Sequence, residues 1–320
     1  MTLSVCVLMG GWSGEREISL ITGAGVLAAC ESLGYEAWSI DVCDATALNA
    51  LLDRRPDICM IAMHGVAGED GLVQAWLELH GIPYTGAGVA ASAIAMDKSI
   101  TKQLWRAAGL PVLDDVVLRD TSNVHFACQS IPYPLCVKPL SDGSSIGVNK
   151  VMHSGDLKPV VDAVLANYPA IMVEPWVDGS EFTVGILGDM ALPVTRIDVA
   201  EGFYDFKAKY SQGLHQKVIP SGFGDAKNLL IKAQALQACE VLGVRHFARL
   251  DGLMKPNGDW VFLEVNTIPG LTPKSLVPFA AEHMGISYNT LIEKIITLAM
   301  ASYSASHRSQ CSRSEKPLAE

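Results

Sequence analysis

The chain has 320 residues, 49% of them hydrophobic, and a formal net charge of −10. That length admits two or three domains around a sizeable core, with the apolar share of a globular protein. The acidic balance excludes a general nucleic-acid binder, which needs a basic excess to neutralise phosphates.

Residues 3–9 are an apolar run closed by Gly10-Gly11, the pattern of a buried strand and not of a signal peptide. Residues 15–30 then repeat apolar positions at helical spacing, Ile18, Ile21, Val26, Leu27 and Cys30. Ser13 is the expected N-cap, with Glu15 in the first turn. A second strand is expected over 36–42, a helix over 45–54, a third strand over 57–63, a helix over 71–80 and a short strand over 82–84. This alternation predicts a parallel sheet covered on both faces, whose ligands bind beyond the carboxyl ends of its strands. Gly10-Gly11 and His64-Gly65 lie there.

One helix is expected over 90–108, ended by Gly109 and Pro111. Strands over 112–119, 135–138, 147–152 and 170–176, with a helix over 157–167, then predict a small α+β domain. Residues 181–188 and 190–199 read as a hairpin about Gly188-Asp189. The polar stretch 201–223 has the length of a lid. A helix over 225–242 carries Leu229, Leu230, Ala233 and Leu236 on one side. Strands over 247–254 and 260–265 pair across a turn, and a helix over 289–302 closes the fold. Residues 304–320 are polar and Ser-rich, and read as a disordered tail. The expected domains are 1–89, 90–178 and 179–303, followed by that tail.

The eight cysteines form no Cys-x-x-Cys pair and sit mostly in apolar runs, so they are expected as free thiols in a reducing, cytoplasmic setting. No apolar run is long enough to span a bilayer.

Asp251 and, one hairpin later, Glu264 and Asn266 are hard oxygen donors on neighbouring strand ends, suited to Mg²⁺. Glu264 and Asn266 are two apart and share a strand face. A metal held there would neutralise charge on a transferred phosphoryl group. A solvated hairpin edge would show the same acids; the lysines favour the metal. Lys98 and Lys138 are point charges for phosphate. The Gly/Ser turn at 141–147 presents N–H groups and hydroxyls to phosphate, although alone it equally suits an ordinary hairpin. It is not a Walker loop. Glu174, Trp176, Val177 and Glu181 straddle a linker that suits a nucleoside, or a merely acidic surface. Glu15 and His64 share the binding edge of the first sheet.

In order along the chain, several motifs resemble the signatures of the D-alanine–D-alanine ligases. They are Gly10-Gly11-Trp12-Ser13-Gly14-Glu15-Arg16, His64-Gly65 through Gly71, Tyr84 through Gly88, Met96-Asp97-Lys98, Val137-Lys138-Pro139, Gly143-Ser144-Ser145-Ile146-Gly147, Glu181 through Val184, Tyr204 through Tyr210, and the block from Arg249 to Leu276. The resemblance implies a three-domain ATP-grasp fold of α/β and α+β parts with an N-terminal parallel sheet. It implies a cytoplasmic homodimer that uses ATP and two Mg²⁺ (or Mn²⁺) to join two D-alanines, through an acyl phosphate, for peptidoglycan precursors. By the same resemblance Glu15 binds the first ammonium, in a triad with Ser144 and Tyr210. Arg249 and the Gly270 N–H form an oxyanion hole. Ser275 and Leu276 hold the second D-alanine, and His64 lines the first site. Lys98, Lys138, Ser145 and Lys209 contact phosphates, while Glu174, Trp176, Val177, Glu181 and Phe203 surround the nucleoside. Asp251, Glu264 and Asn266 hold the metal.

The chain departs from the family after Tyr210. The family runs through a Thr/Tyr-containing stretch to Cys-Pro-Ala, whereas here Ser211 leads through His215 and Lys217 to Pro220 and Ser221. Relatives that make D-alanyl-D-lactate carry a lid histidine and lack the lid tyrosine, so D-lactate or D-serine as second substrate is the alternative. Tyr210 favours the dipeptide, and His215 is expected to point away from the site. A nucleotide-binding regulator with a decayed site is disfavoured, since every metal and triad position is filled.

Overall fold

The computed structural model describes residues 2–141, 143, 146–199 and 215–314, with side chains placed through residue 304. Val5, Cys6, Val7 and Leu8 are wholly buried in β1 (Ser4–Gly10). Such a run suits a strand covered on both faces. After α1 (Arg16–Ser32) come β2 (Glu36–Val42), α2 (Ala50–Asp53) and β3 (Ile58–Ile61), and β1 lies between β2 and β3 in a parallel sheet. The helix expected over 45–54 is shorter. It begins as a 3₁₀ turn, Ala45–Asn49, because the Asp44 carboxylate accepts from the Thr46 and Ala47 amides and caps it. The strand expected over 82–84 reduces to one parallel bridge between Cys59 and Tyr84, after α3 (Leu72–Leu79).

The helix expected over 90–108 is two helices, α4 (Val89–Met96) and α5 (Lys98–Ala107). Asp97 takes an extended backbone between them, and its carboxylate accepts from the Ser99 and Ile100 amides at 2.9 and 3.0 Å. That side-chain cap ends one helix and starts the next. Ala95, Trp105 and Leu110 share a core with Phe182, Ile231, Leu242 and Phe262, so these helices pack on the last sheet of the chain.

The second sheet draws on β4 (Val116–Leu118), then, after α6 (Val124–Ala127), β5 (Leu135–Pro139) and β6 (Asn149–Val151), then α7 (Ser154–Leu165) and β7 (Ile171–Pro175). It is antiparallel in the order β4-β7-β5-β6. The third sheet uses β8 (Ser180–Leu187), β9 (Met190–Ala191), β10 (Thr195–Val199), β11 (His215–Val218), then, after α8 (Asp225–Leu242), β12 (Phe247–Met254) and β13 (Trp260–Asn266). Its antiparallel order is β11-β10-β8-β12-β13, with β9 on β8. Of the apolar side predicted on α8, Leu229 and Leu230 are 67% and 55% exposed. The buried stripe is Ile231, Ala235, Ala238 and Leu242. The spacing of 3.6 fits both stripes, and the packing partner, the sheet with Phe182 and Phe262, selects the second.

After α9 (Leu276–Glu282), α10 (Tyr288–Ser314) covers the first sheet, burying Leu291, Ile292, Ile295, Ile296 and Ala299 in its core. The helix runs past residue 303, where the sequence predicts a tail. Tyr303 packs edge-on against Tyr84 at 5.8 Å, and a helix already nucleated propagates at little cost through polar residues. No helix of the described residues is long and apolar enough to cross a membrane. Every cysteine whose side chain is described is a free thiol.

Candidate active site

Two cavities adjoin above the third sheet. One, of about 590 Å³, is lined by Glu15, His64, Arg249, Asn266, Gly270, Ser275 and Leu276. The other, of about 480 Å³, lies between the second and third sheets and is lined by Lys138, Glu174, Trp176, Val177, Glu181 and Asp251. Lys98, Ile146 and Glu264 line both, so the cavities meet at a lysine and a carboxylate. Ser144, Ser145, Phe203, Lys209 and Tyr210 lie outside the described residues.

The carboxylates owe their placement to strand geometry. Burial alternates along β12, so Arg249 and Asp251 face away from the core that takes Leu250 and Gly252. On β13, Asp251 pairs with Glu264 but Gly252 pairs with Phe262, leaving Leu263 as an extra residue. This bulge turns two consecutive residues, Leu263 and Glu264, toward the second cavity. Arg249 donates to both Asp251 oxygens, at 2.9 and 2.7 Å, and Asn266 Nδ2 donates to Asp251 Oδ2 at 3.1 Å. Lys98 Nζ lies 3.3 Å from Glu264 Oε2. Two carboxylates and an amide carbonyl are a donor set that fits a hard divalent cation. Among the described residues no group of three His, Cys, Asp or Glu side chains forms a metal cluster, so the amide would have to complete this one.

Glu15 is the N-cap of α1 and Ser13 is not, contrary to the sequence expectation. Ser13 Oγ instead accepts from the Glu15 amide at 3.2 Å and donates to the His64 carbonyl at 2.7 Å, tying the two loops together. Gly65 has φ +71°, and a Cβ there would meet Ser13 Oγ at 3.0 Å and Glu15 Oε2 at 3.3 Å, so glycine is what lets the loops close. His64 is buried, with Nδ1 2.9 Å from the Ile268 carbonyl and Nε2 3.0 Å from Thr22 Oγ1. A carbonyl only accepts, so Nδ1 carries the proton and Nε2 accepts from Thr22. Burial lowers the His64 pKa against the raising effect of Glu15, keeping the ring neutral.

Glu69, which the sequence reading passed over, completes this clamp. Its carboxyl accepts from the Gly65 amide at 2.7 Å and from the Ile268 amide at 3.1 Å. His64 and Glu69 thus grip both backbone groups of Ile268, two residues before Gly270. Burial, then the Glu15 charge, push the Glu69 pKa up to about 8. A raised folded-state pKa contributes stability that is full below the unfolded value near 4.5 and lost as pH rises through 8. The melting temperature is therefore expected to fall between about pH 5 and 8, and Glu69→Gln should flatten most of that slope. An equal slope in the variant would remove Glu69 from this role.

In the second cavity Glu174 points inward to cations more than outward to a nucleoside. Glu174 Oε2 accepts from Lys102 Nζ at 2.7 Å, and Lys138 Nζ binds Oε1. Lys102, unremarked in the sequence, is 1% exposed and also lies 3.3 Å from Asp115. The Trp176 amide donates to the Pro134 carbonyl at 2.8 Å, and Lys150 Nζ sits 4.7 Å from the Trp176 ring centre.

The lid expectation falls largely on residues 200–214, outside the described residues. The segment that follows is β11, paired antiparallel to β10. His215 does not point away from the site: with Lys217, two residues on along the same strand face, it lines the first cavity. The signal available in the sequence was the 215/217 alternation before Pro220.

A family model described as D-ala D-ala ligase C-terminus matches residues 104–297. A D-alanine–D-alanine ligase of Dechloromonas aromatica is 44% identical over 295 residues, 92% of this chain and 97% of that protein. Among solved structures, the D-alanine–D-alanine ligase of Bacillus anthracis complexed with ATP superposes with a TM-score of 0.83 at 29% identity, covering 95% of this chain and all of that one. The VanG D-Ala:D-Ser ligase of Enterococcus faecalis gives 0.80 at 26% identity, covering 93% of this chain and all of that one.

Proposed function

This chain belongs to the D-alanine–D-alanine ligase family, and from that premise we propose how its residues divide the work of joining two D-alanines with ATP. The nucleotide occupies the second cavity and the amino acids the first. The observation that carries this reading is their junction at Lys98 and Glu264, where a γ-phosphate from one side would meet a carboxylate from the other. Asp251, Glu264 and Asn266 would hold Mg²⁺, which neutralises phosphate charge when bound.

Glu15 pairs with the ammonium of the first D-alanine and leaves its carboxylate toward Arg249. That carboxylate attacks the γ-phosphorus, ADP leaves, and an acyl phosphate remains. The second D-alanine, its carboxylate at Ser275, loses an ammonium proton and attacks the acyl carbon. Arg249 and the Gly270 N–H face the tetrahedral oxyanion, which collapses to dipeptide and phosphate. A Cβ at Gly270 would meet Ser275 Oγ at 3.0 Å, so glycine brings the oxyanion donor against the acceptor site. Ser144, Ser145, Lys209 and Tyr210 keep the triad and phosphate roles that the family assigns them, and Phe203 the nucleoside wall. A cytoplasmic homodimer supplying peptidoglycan precursors completes the proposal.

The test is ADP release with D-alanine, D-serine and D-lactate, followed by product mass. D-alanyl-D-alanine is expected to dominate at pH 7. Because His215 lines the amino-acid cavity, the rival product is the D-lactate ester, and ester as the main product would overturn the dipeptide reading. Glu15→Gln should raise the first D-alanine KM by roughly ten- to a hundredfold, the size of a lost charge-assisted hydrogen bond, with the ATP KM unmoved. An effect confined to ATP would place Glu15 wrongly.

A further inference from the structure

Lys217 stands where the chain departs from the family pattern, and nothing in the reaction above uses it. It lies on β11 opposite Ile197, and its ammonium donates to the backbone carbonyl of Lys274, the residue before Ser275. The ammonium also lies 5.4 Å from the Phe279 ring centre. Lys217, Lys274, Ser275 and His215 all line the first cavity. An ammonium has three donors, and a single carbonyl uses one.

Two other cations of this cavity face carboxylates. Arg249 is held by Asp251, and Lys98 lies beside Glu264. Among the described residues no ion pair includes Lys217, and burial alone, with no carboxylate opposing it, lowers its pKa. A half-buried ammonium in that position gains most from a ligand carboxylate, which would offset its desolvation.

We propose that Lys217, beside Ser275, receives the carboxylate of the second amino acid and makes this ligase selective for acceptors that carry one. The proposal rests on the ligase reading. The ammonium groups of Lys217 and Lys274 and the Glu15 carboxylate, all on the wall of this cavity, would then orient a zwitterion, with the attacking amine away from the lysines. Lys217 is a specificity residue and takes no part in bond making.

The experiment is a competition. Full-length enzyme with ATP and D-alanine as donor is offered D-alanine and D-alaninamide as acceptors, and the two products are weighed by mass spectrometry. Wild type should favour the free dipeptide. In Lys217→Gln the ratio of free dipeptide to amide should fall at least about tenfold, the size of one charge-assisted hydrogen bond. Lys217→Arg should keep most of the preference. Comparing variants cancels the different amine basicities of the two acceptors. An unchanged ratio in active Lys217→Gln overturns the proposal.

Should Lys217→Gln fail to fold or turn over, wild-type enzyme decides. Amine labelling at Lys217, read by peptide mass, should slow severalfold with D-alanyl-D-alanine and stay unchanged with its C-terminal amide. Equal protection by both would overturn the proposal. Wild type that releases no ADP with D-alanine would sink the ligase reading, while the labelling contrast still reports on the carboxylate site.

Discussion

Glu264→Gln and Asp251→Asn are each expected to reduce turnover by several kcal/mol of transition-state stabilisation, about three powers of ten, with little change in melting temperature. Both substitutions keep the side-chain shape and remove one charge. Both carboxylates sit on paired positions of β12 and β13, so the loss falls on one centre. Their present partners argue for small structural cost. The Asp251 and Arg249 side chains are 19% and 15% exposed, so the charge left on Arg249 in Asp251→Asn stays partly solvated. The Mg²⁺ concentration needed for half-maximal rate should rise in both variants. Ligation near the wild-type rate by either purified variant would end the metal assignment.

The parts of this site that the sequence revealed were those with local period. Glu264 and Asn266, two apart, and Arg249 and Asp251, two apart, could be set on strand faces by counting. The bulge at Leu263 could not be counted, because it depends on the register that β12 imposes on β13. It is why Leu263 and Glu264 face the second cavity together. The same limit applied to Glu69. A carboxylate in a polar loop looks solvated until Ile268, two hundred residues away, covers it. Lys102 was hidden by helical spacing, which placed it on a buried face without showing that Glu174 and Asp115 wait there.

Chain order misled in another way. Residues 90–110 follow the first sheet and precede the second, yet Trp105 packs with the third sheet, its indole N–H on the Ala238 carbonyl at 2.9 Å. Apolar positions at helical spacing state that a face is buried and leave its partner open. On α8 the same ambiguity put Leu229 and Leu230 on the wrong side.

Glu174→Gln should destabilise the protein by about 3–5 kcal/mol, the cost of removing one partner of a buried ion pair. Lys102 and Glu174 are 1% and 3% exposed, and Lys138 is 8% exposed, so water cannot replace the lost charge. Burial alone would raise the Glu174 carboxyl, yet Lys138 and then Lys102 hold it below the ordinary glutamate range. In return Glu174 keeps the Lys138 ammonium above its ordinary range against the pull of burial. A depressed carboxyl contributes stability that is present above its unfolded pKa near 4.5 and lost as pH falls. The deficit of Glu174→Gln in urea midpoint should thus be full at pH 7 and shrink on acidification below that value. Asp115 still faces Lys102 at 3.3 Å, so the worse-stranded cation is Lys138. Glu174→Gln/Lys138→Met should therefore recover more stability than Glu174→Gln/Lys102→Met, since among the described residues no second carboxylate lies within ion-pair distance of Lys138. The network reaches the second cavity through Lys138 and Glu174. Recovery of stability without recovery of ATP affinity would separate two duties of Lys138, holding the sheet and the phosphate contact proposed above. A urea midpoint for Glu174→Gln equal to wild type at pH 7 would mean that the buried network contributes nothing net.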